Sequence, residues 1–414
     1  MGSVLRRLSW CALLCWPCLA AALDGRVVDA SSGLPIAGAT VIAGADSTLS
    51  GNDGGFHLPA AGGQVSARAI GYSRATATAS GQEAAVTTLR LFPLRPKALY
   101  LSAYGIGNQG LRDAALHLLA TTELNALVID LKGDTGMVPY PSQVPQAALC
   151  GARVVTTVRD MAALAAQLRR DGIYLIARIV AFKDDRLASA HPEWSVKNAD
   201  GEMFRDREQQ AWIDPFQRDA WAYLLDLAQE AAAMGFDEIQ FDYVRFPDTR
   251  GLRFAQPNTE ANRVVAITGF LQAARQRLAP YNAFLAADLF GYTAWNSGDT
   301  EIGQDLPAIA KVVDYISPML YPSGYQFGIP GVPDPMQEPA LIVQRTLQRA
   351  MARTGGNGLR FRPWLQAFRD YAFDHRPFDA DEIRAQIDAA ESAGTDGWML
   401  WNPRNSYSAD GLQE

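Results

Sequence analysis

Between residues 98 and 403, short apolar segments alternate with segments of helical periodicity, and this alternation constrains the fold more than any other feature. Helical spacing of apolar side chains predicts helices over 158–172, 217–235, 263–279, 338–354 and 379–394. Eight strands are predicted over 98–106, 126–133, 174–182, 237–246, 284–292, 314–321, 362–368 and 397–403. Such alternation implies parallel strands joined by right-handed crossovers. We therefore expect an α/β fold, a (β/α)₈ TIM barrel, over residues 98–410.

The region before the barrel, residues 23–92, has a different pattern. Short apolar runs are separated by turn segments such as "SSG" and "GNDGG", which predicts a small all-β sandwich. The region resembles the carboxypeptidase regulatory-like domain, and the residues that carry the resemblance are Gly25, Val27, Asp29, Gly33, Pro35, Ile36, Gly38, Ala39, Val41, Gly54, Phe56, Gly71 and Tyr72. The resemblance implies an accessory domain that spaces, docks or binds.

Residues 1–22 have the composition of a cleavable signal peptide. Arg6 and Arg7 precede a short apolar stretch, and three alanines at 20–22 form a small-residue cleavage site. The bulky residues before the cysteines of this segment disfavour a lipoprotein. No later apolar run reaches the roughly 18 residues of a membrane helix. We expect an exported protein, periplasmic or extracellular, whose single remaining cysteine, Cys150, forms no internal disulfide.

Charge and motif content narrow the choice of ligands. The formal net charge of −7 disfavours nucleic acid or an anionic membrane as partner. The four histidines lie in no metal-ligand spacing, no G-x-S-x-G motif occurs, and no G-x-G-x-x-G follows a strand, so we expect neither a metal nor a cofactor. The expected partner is a carbohydrate polymer or oligosaccharide, and the sequence identifies no protein partner.

Polar residues gather at the carboxyl ends of the predicted strands, where the active sites of such barrels lie. Period-two alternation points Glu238, Gln240 and Asp242 into the barrel. Arg245 is a candidate ion-pair partner of Asp242, and Glu238 is expected in a salt bridge below the site. Asp242 and Asp288 are the catalytic candidates. The candidate substrate-binding residues are Asp130, Lys132, Arg178, Gln240, Arg245, Tyr321, Trp364, Gln366 and Trp401.

Two carboxylates among aromatic side chains favour glycoside hydrolysis, which needs one carboxylate as nucleophile or base and one protonated acid. We assign the first role to Asp242. Asp288 is the candidate general acid, because the apolar surroundings in "LAADLF" raise a carboxyl pKa. Structural interpretations stay open for some of the other residues. Asp130 and Lys132 could form an ion network, and Trp364 and Trp401 could be packing residues.

Four motifs of the barrel region resemble an uncharacterised bacterial family of proposed glycoside hydrolases: "NALVIDLKGDTG" (125–136), "FDEIQFDYVRFP" (236–247), "YISPMLYPSGY" (315–325) and "WLQAF" (364–368). The resemblance implies an alpha-amylase-like barrel that acts on carbohydrate. Alpha-amylase-like enzymes carry an arginine where this chain has Gln240, and a glutamate where it has Asp288. Chitinase-like enzymes carry an acidic glutamate where this chain has Val244.

Two other interpretations of the barrel remain. The barrel could be a catalytically inactive carbohydrate-binding or envelope-scaffold protein, or it could carry a transglycosylase. An open groove with a carboxylate pair favours an enzyme. A filled groove, or a salt bridge that locks Asp242 to Arg245, favours binding.

Overall fold

The computed structural model describes residues 23–59, 63–79 and 86–414, so the predicted signal peptide, residues 1–22, lies outside the described residues. Two sheets come first in the chain, and a closed barrel of eight parallel strands follows. This arrangement confirms the predicted fold class, a (β/α)₈ TIM barrel preceded by a small all-β sandwich.

The N-terminal sheets enclose an apolar core of their own. One sheet has the order β4-β1-β7 and the other β3-β2-β5-β6. Val27, Val41, Phe56 and Leu89 are buried together between them. The seven strands are β1 (Leu23–Asp29), β2 (Thr40–Ala43), β3 (Asp46–Leu49), β4 (Gly55–Leu58), β5 (Gly63–Arg68), β6 (Ala75–Ala79) and β7 (Thr87–Leu91).

The barrel strands pair in chain order, and the last strand closes the ring against the first. They are β8 (Lys97–Leu101), β9 (Ala126–Lys132), β10 (Tyr174–Val180), β11 (Glu238–Asp242), β12 (Phe284–Phe290), β13 (Tyr315–Met319), β14 (Trp364–Gln366) and β15 (Trp398–Trp401). The helices are α1 (Ala103–Gly107), α2 (Gln109–Thr121), α3 (Pro145–Leu149), α4 (Met161–Arg170), α5 (Asp185–Ala190), α6 (Arg218–Ala233), α7 (Glu260–Leu278), α8 (Leu306–Ala310), α9 (Pro339–Thr354) and α10 (Ala380–Ser392).

All eight predicted strands are present, and the strands end earlier than predicted. The first ends at Leu101, because Ser102 caps α1 by accepting a hydrogen bond from the backbone N–H of Gly105. The fourth ends at Asp242, because Tyr243 has a φ of 48° and leaves the extended conformation. These early ends turn the chain into loops at the carboxyl end of the barrel.

The N-terminal sheets contact the opposite, amino-terminal end of the barrel. Arg74 donates to Asp237 Oδ1 at 2.8 Å and to the backbone carbonyl of Phe236 at 3.1 Å. Arg68 pairs with Asp314 at 2.9 Å. Asp237 directly precedes β11 and Asp314 directly precedes β13, so these ion pairs fix the sheets to the strand starts and away from the strand ends.

Candidate functional site

A cavity of about 770 Å³ lies at the carboxyl ends of the barrel strands. Loops after β11 to β15 supply most of its wall, as expected for this fold. The lining residues are Arg178, Glu208, Asp242, Tyr243, Arg245, Phe290, Gly291, Tyr292, Met319, Tyr321, Gly324, Tyr325, Trp364, Ala367, Phe368, Arg369, Tyr371, Pro377, Phe378, Trp401, Asn402, Pro403 and Arg404. The lining is therefore mainly aromatic and cationic.

Asp242 lines this cavity and is held by Arg178. The Nε and Nη2 atoms of Arg178 donate to Asp242 Oδ2 at 3.0 and 2.5 Å, and Nη1 donates to Asp130 Oδ1 at 2.6 Å. The predicted pairing of Asp242 with Arg245 is wrong. The left-handed backbone at Tyr243 turns the chain between those two residues, and the neighbouring strand β10 supplies the partner instead.

Tyr100, which the sequence analysis did not single out, supports the same network. Its hydroxyl donates to Asp130 Oδ2 at 2.7 Å, and its ring stacks on Trp401 at 3.9 Å between centroids. The Arg178 guanidinium lies 4.9 Å from the centre of the Trp401 ring. Period-two alternation from Ala98 onward would have pointed Tyr100 into the barrel.

Asp288 is buried completely at the end of β12. Trp364 Nε1 donates to its Oδ1 at 2.8 Å, and its Oδ2 has no hydrogen-bond partner within the described part of the chain. Burial raises the pKa of Asp288 well above its ordinary value, and the nearby charge of Asp242 raises it further. Asp288 does not line the cavity, and its assignment as the general acid stays a prediction.

Three further predicted contacts lie behind the wall rather than on it. Lys132 is fully buried; its ammonium donates to the Val180 carbonyl at 2.6 Å and pairs with Asp184 at 2.9 Å. The register between β9 and β10 shifts between Arg178 and Ile179, and Lys132 pairs with Ile179. Gln240 donates to Ser317 Oγ at 3.0 Å, and Gln366 donates to Ser323 Oγ at 2.7 Å. Neither these glutamines nor Lys132 line the cavity, and their roles in substrate binding stay predictions.

Arg178, Arg245, Tyr321, Trp364 and Trp401 do line the cavity, as do residues that the sequence analysis missed. Burial raises the pKa of the Tyr321 phenol, and the charge of Asp288 adds to the effect. Asp130 does not line the cavity, but it accepts a hydrogen bond from Arg178, which does. Among the missed residues, Glu208 projects from the loop before α6 and pairs with Lys183. Its loop, "FRDREQQ", carries no periodicity that would have indicated a site.

A second buried network lies at the opposite end of the barrel. Arg362 pairs with Glu238 and with Asp396 Oδ2, the latter at 3.0 Å, and the Tyr174 hydroxyl donates to Glu238 at 3.0 Å. Glu238 therefore takes part in the salt bridge below the site that the strand pattern predicted. Across the described residues, no three His, Cys, Asp or Glu side chains are grouped for a metal ion, and no helix there combines the length and apolarity needed to cross a bilayer.

Residues 98–407 match the model of the family described as "Putative glycosyl hydrolase domain". The chain belongs to this family. No curated protein matches the chain. The family match confirms the predicted relation to glycoside hydrolases, whereas the alpha-amylase-like and carboxypeptidase regulatory-like resemblances stay predictions.

Solved structures extend the comparison. A hypothetical protein from Ruminiclostridium thermocellum ATCC 27405 is 37% identical, with 46% of this chain and 96% of that chain covered and a TM-score of 0.42. The PgaB (BpsB) glycoside hydrolase domain from Bordetella bronchiseptica is 16% identical over 78% of this chain and 99% of that chain, with a TM-score of 0.55. A class V chitinase from Pseudomonas fluorescens Pf-5 is 14% identical over 77% and 96%, with a TM-score of 0.45. The PgaB likeness shows a shared fold.

Proposed function

We propose that this chain is an exported glycoside hydrolase that cleaves an O-glycosyl bond of a polysaccharide or oligosaccharide in the cavity. One observation carries the proposal: an aromatic-lined cavity exposes the Asp242 carboxylate beside a second carboxyl group, Asp288, whose pKa is strongly raised. Glycoside hydrolysis uses one ionised and one protonated carboxyl group. The raised pKa of Asp288 suits this group to the protonated role.

Asp242 is the proposed nucleophile or base. Its Oδ2 atom is fixed by two donors of Arg178, and its Oδ1 atom accepts the backbone N–H of Tyr243 at 2.6 Å. These contacts leave the carboxylate little rotational freedom, which favours a single attacking geometry. Arg178 also balances the charge of Asp130, so one guanidinium organises both carboxylates.

Asp288 is the proposed proton-bearing member of the pair. Asp242 lies on β11 and Asp288 on the neighbouring strand β12. Because Asp288 is neutral when protonated, two negative charges do not lie side by side there. Asp288 lies behind the cavity wall in this structure, and a role as general acid requires its side chain to reach the cavity.

The aromatic lining supports a sugar substrate. Phe368 and Tyr371 stack with each other at 6.1 Å between centroids, and both line the cavity. Trp401 is partly exposed at the floor, on the face of the network that contains Asp242. Apolar ring faces of this kind can bind the apolar faces of pyranose rings.

A second candidate, a carbohydrate-binding protein without catalysis, is favoured by one observation. Arg178 binds Asp242 with two hydrogen bonds, and Asp288 has no direct access to the cavity. Such an arrangement could hold a sugar without cleaving it. A transglycosylase would use the same carboxylates with a sugar acceptor in place of water.

The N-terminal part of the chain has a proposed accessory role. We assign residues 1–22 to a signal peptide and residues 23–92 to a carboxypeptidase regulatory-like domain. Attachment of this domain to the amino-terminal end of the barrel, through Arg74 and Asp237, leaves the cavity free for a long polymer.

The test is reducing-sugar release from a panel of bacterial and plant polysaccharides by the wild type and by Asp242→Asn. The matched control is Asp248→Asn, an exposed aspartate on the same loop that does not line the cavity. We expect release by the wild type and the control, and a loss of about 1,000-fold or more in Asp242→Asn. Equal release by Asp242→Asn would remove this residue from the mechanism. Binding without release in every protein would establish the non-catalytic alternative.

A further inference from the structure

Arg245 is a buried cation with no acidic partner. The residue is 8% exposed, and no carboxylate of the described residues lies within salt-bridge distance of its guanidinium. One described hydrogen bond engages the guanidinium, from Nη1 to the Phe246 carbonyl at 3.0 Å. The remaining guanidinium donors are free for a ligand, because Arg245 lines the cavity.

Three aromatic rings hold this guanidinium in place. Its central carbon lies 4.8 Å from the centre of the Trp212 ring, 5.2 Å from that of Tyr243 and 4.7 Å from that of Phe290. Rings at these distances restrict the side chain and exclude water from its faces. Burial lowers the pKa of Arg245, because desolvation disfavours the charged form more than the surrounding acidic groups favour it.

The charge of the whole cavity points in the same direction. Four arginines line it, Arg178, Arg245, Arg369 and Arg404, against two carboxylates, Asp242 and Glu208. Arg178 is shared by Asp242 and Asp130, and Lys183 is shared by Glu208 and Asp206, so each of these two cations pairs with two carboxylates. Arg369 and Arg404 are exposed at the mouth and make no salt bridge to any described residue. The three arginines that pair with no described carboxylate, Arg245, Arg369 and Arg404, make the lining locally cationic in a chain with a net charge of −7.

We propose that the cavity binds an acidic saccharide and that Arg245 binds the carboxylate of a uronic acid-type sugar. A planar guanidinium donates two parallel hydrogen bonds to a carboxylate, and this geometry is what the free donors of a fixed arginine offer. The ligand would supply the missing counter-charge of a desolvated cation. Arg369 and Arg404 would attract further acidic units of the polymer at the mouth.

This inference rests on the proposed function in one respect: it takes the ligand of the cavity to be a carbohydrate. The probes are therefore oligogalacturonate and oligoglucuronate, each compared with its carboxyl-reduced, neutral counterpart. Isothermal titration calorimetry on the full chain measures binding, and product analysis in parallel measures cleavage. Arg245→Met removes the charge and keeps most of the side-chain volume, whereas Arg245→Lys keeps the charge and loses the planar fork.

We expect the wild type to bind at least one acidic oligosaccharide about tenfold more tightly than its neutral counterpart, and Arg245→Met to lose this preference. Arg245→Lys should retain part of it, which separates a charge effect from misfolding. The matched control is Arg349→Met, an exposed arginine of α9 outside the cavity, which should behave as the wild type does.

The outcomes distinguish this inference from the proposed function. Equal binding of acidic and neutral oligosaccharides, no binding of either acidic probe, or an unchanged preference in Arg245→Met would overturn the inference, even if a neutral glycan is hydrolysed. Selective binding that depends on Arg245, without cleavage of any bond, would support the inference and count against the hydrolase.

Discussion

The two ends of the barrel contain the same chemical arrangement, a buried arginine between two carboxylates under aromatic rings. At the carboxyl end, Arg178 pairs with Asp130 and Asp242. At the amino-terminal end, Arg362 pairs with Glu238 and Asp396. The three residues of the first network lie in β9, β10 and β11, whereas Arg362 and Asp396 of the second lie two residues before β14 and β15.

The two networks differ in what lies beside them. The Arg362 side chain is fully buried, and the Tyr315 ring lies 4.1 Å from its guanidinium carbon. The Arg178 network opens on the cavity through Asp242. A network sealed from solvent can contribute only to stability, whereas a network beside a cavity can also act on a ligand. The two ends therefore differ in whether a ligand can reach the buried ion pairs.

The largest expected effect breaks the sealed network. Arg362→Met leaves Glu238 and Asp396 without their cation and out of reach of water. We expect the free energy of unfolding to fall by about 3–5 kcal/mol, because the substitution strands buried carboxylates. Urea unfolding of this variant beside Arg349→Met measures the loss. A fall of less than about 1 kcal/mol would show that the sealed network does not stabilise the barrel.

The next prediction concerns the open network. Arg178→Lys keeps a positive charge but cannot donate to Asp130 and Asp242 at the same time with a planar fork. We expect kcat/KM to fall about 100-fold, because the carboxylate loses its fixed orientation, while the urea midpoint changes little. A variant with full activity would show that Arg178 does not position Asp242.

A smaller effect is expected where the N-terminal sheets meet the barrel. Arg74→Ala removes the donor that holds Asp237 and three backbone carbonyls, those of Gly235, Phe236 and Tyr281. We expect a loss of about 2 kcal/mol in unfolding free energy with unchanged kcat, since the contact lies at the barrel end away from the cavity. A lowered kcat under conditions where all of the variant is folded would contradict the claim that this contact does not affect the cavity.

The smallest effect is a change in the pH dependence of stability. The folded-state pKa of Asp288 is raised above its ordinary value of 3.8, so the folded protein holds this proton more tightly than the unfolded chain. The resulting stabilisation is present below pH 3.8 and is lost as the pH rises through the folded pKa. Asp288→Asn should therefore flatten the fall of unfolding free energy with pH above that value. An unchanged slope in urea titrations would argue against the raised pKa.

The sequence predicted the barrel and missed the connections within its network. Eight apolar segments fixed the strands because burial on both faces needs continuous apolar runs. The same pattern extended the fourth strand through Phe246, since no residue type there indicated the left-handed turn at Tyr243. Pairing of Arg178 with Asp242 depends on the register between neighbouring strands, and that register is set by three-dimensional packing.

Burial was the harder property to predict. The alternation of side chains placed Gln240 and Asp242 inside the barrel without giving their depth, so both were assigned to the site. Asp242 lines the cavity, and Gln240 lies one layer below it. For Asp288, the apolar neighbours correctly indicated a raised pKa but also meant complete burial.

The most direct test of the difference between the two ends compares Asp242→Asn with Glu238→Gln, which lie four residues apart on β11. Both variants exchange one inward carboxylate for its amide. Thermal melting and polysaccharide hydrolysis are measured on the same samples. We predict that Asp242→Asn loses hydrolysis with a melting temperature close to that of the wild type, and that Glu238→Gln melts at a lower temperature but keeps its kcat where it is folded. Hydrolysis that survives in Asp242→Asn and disappears in folded Glu238→Gln would contradict the account.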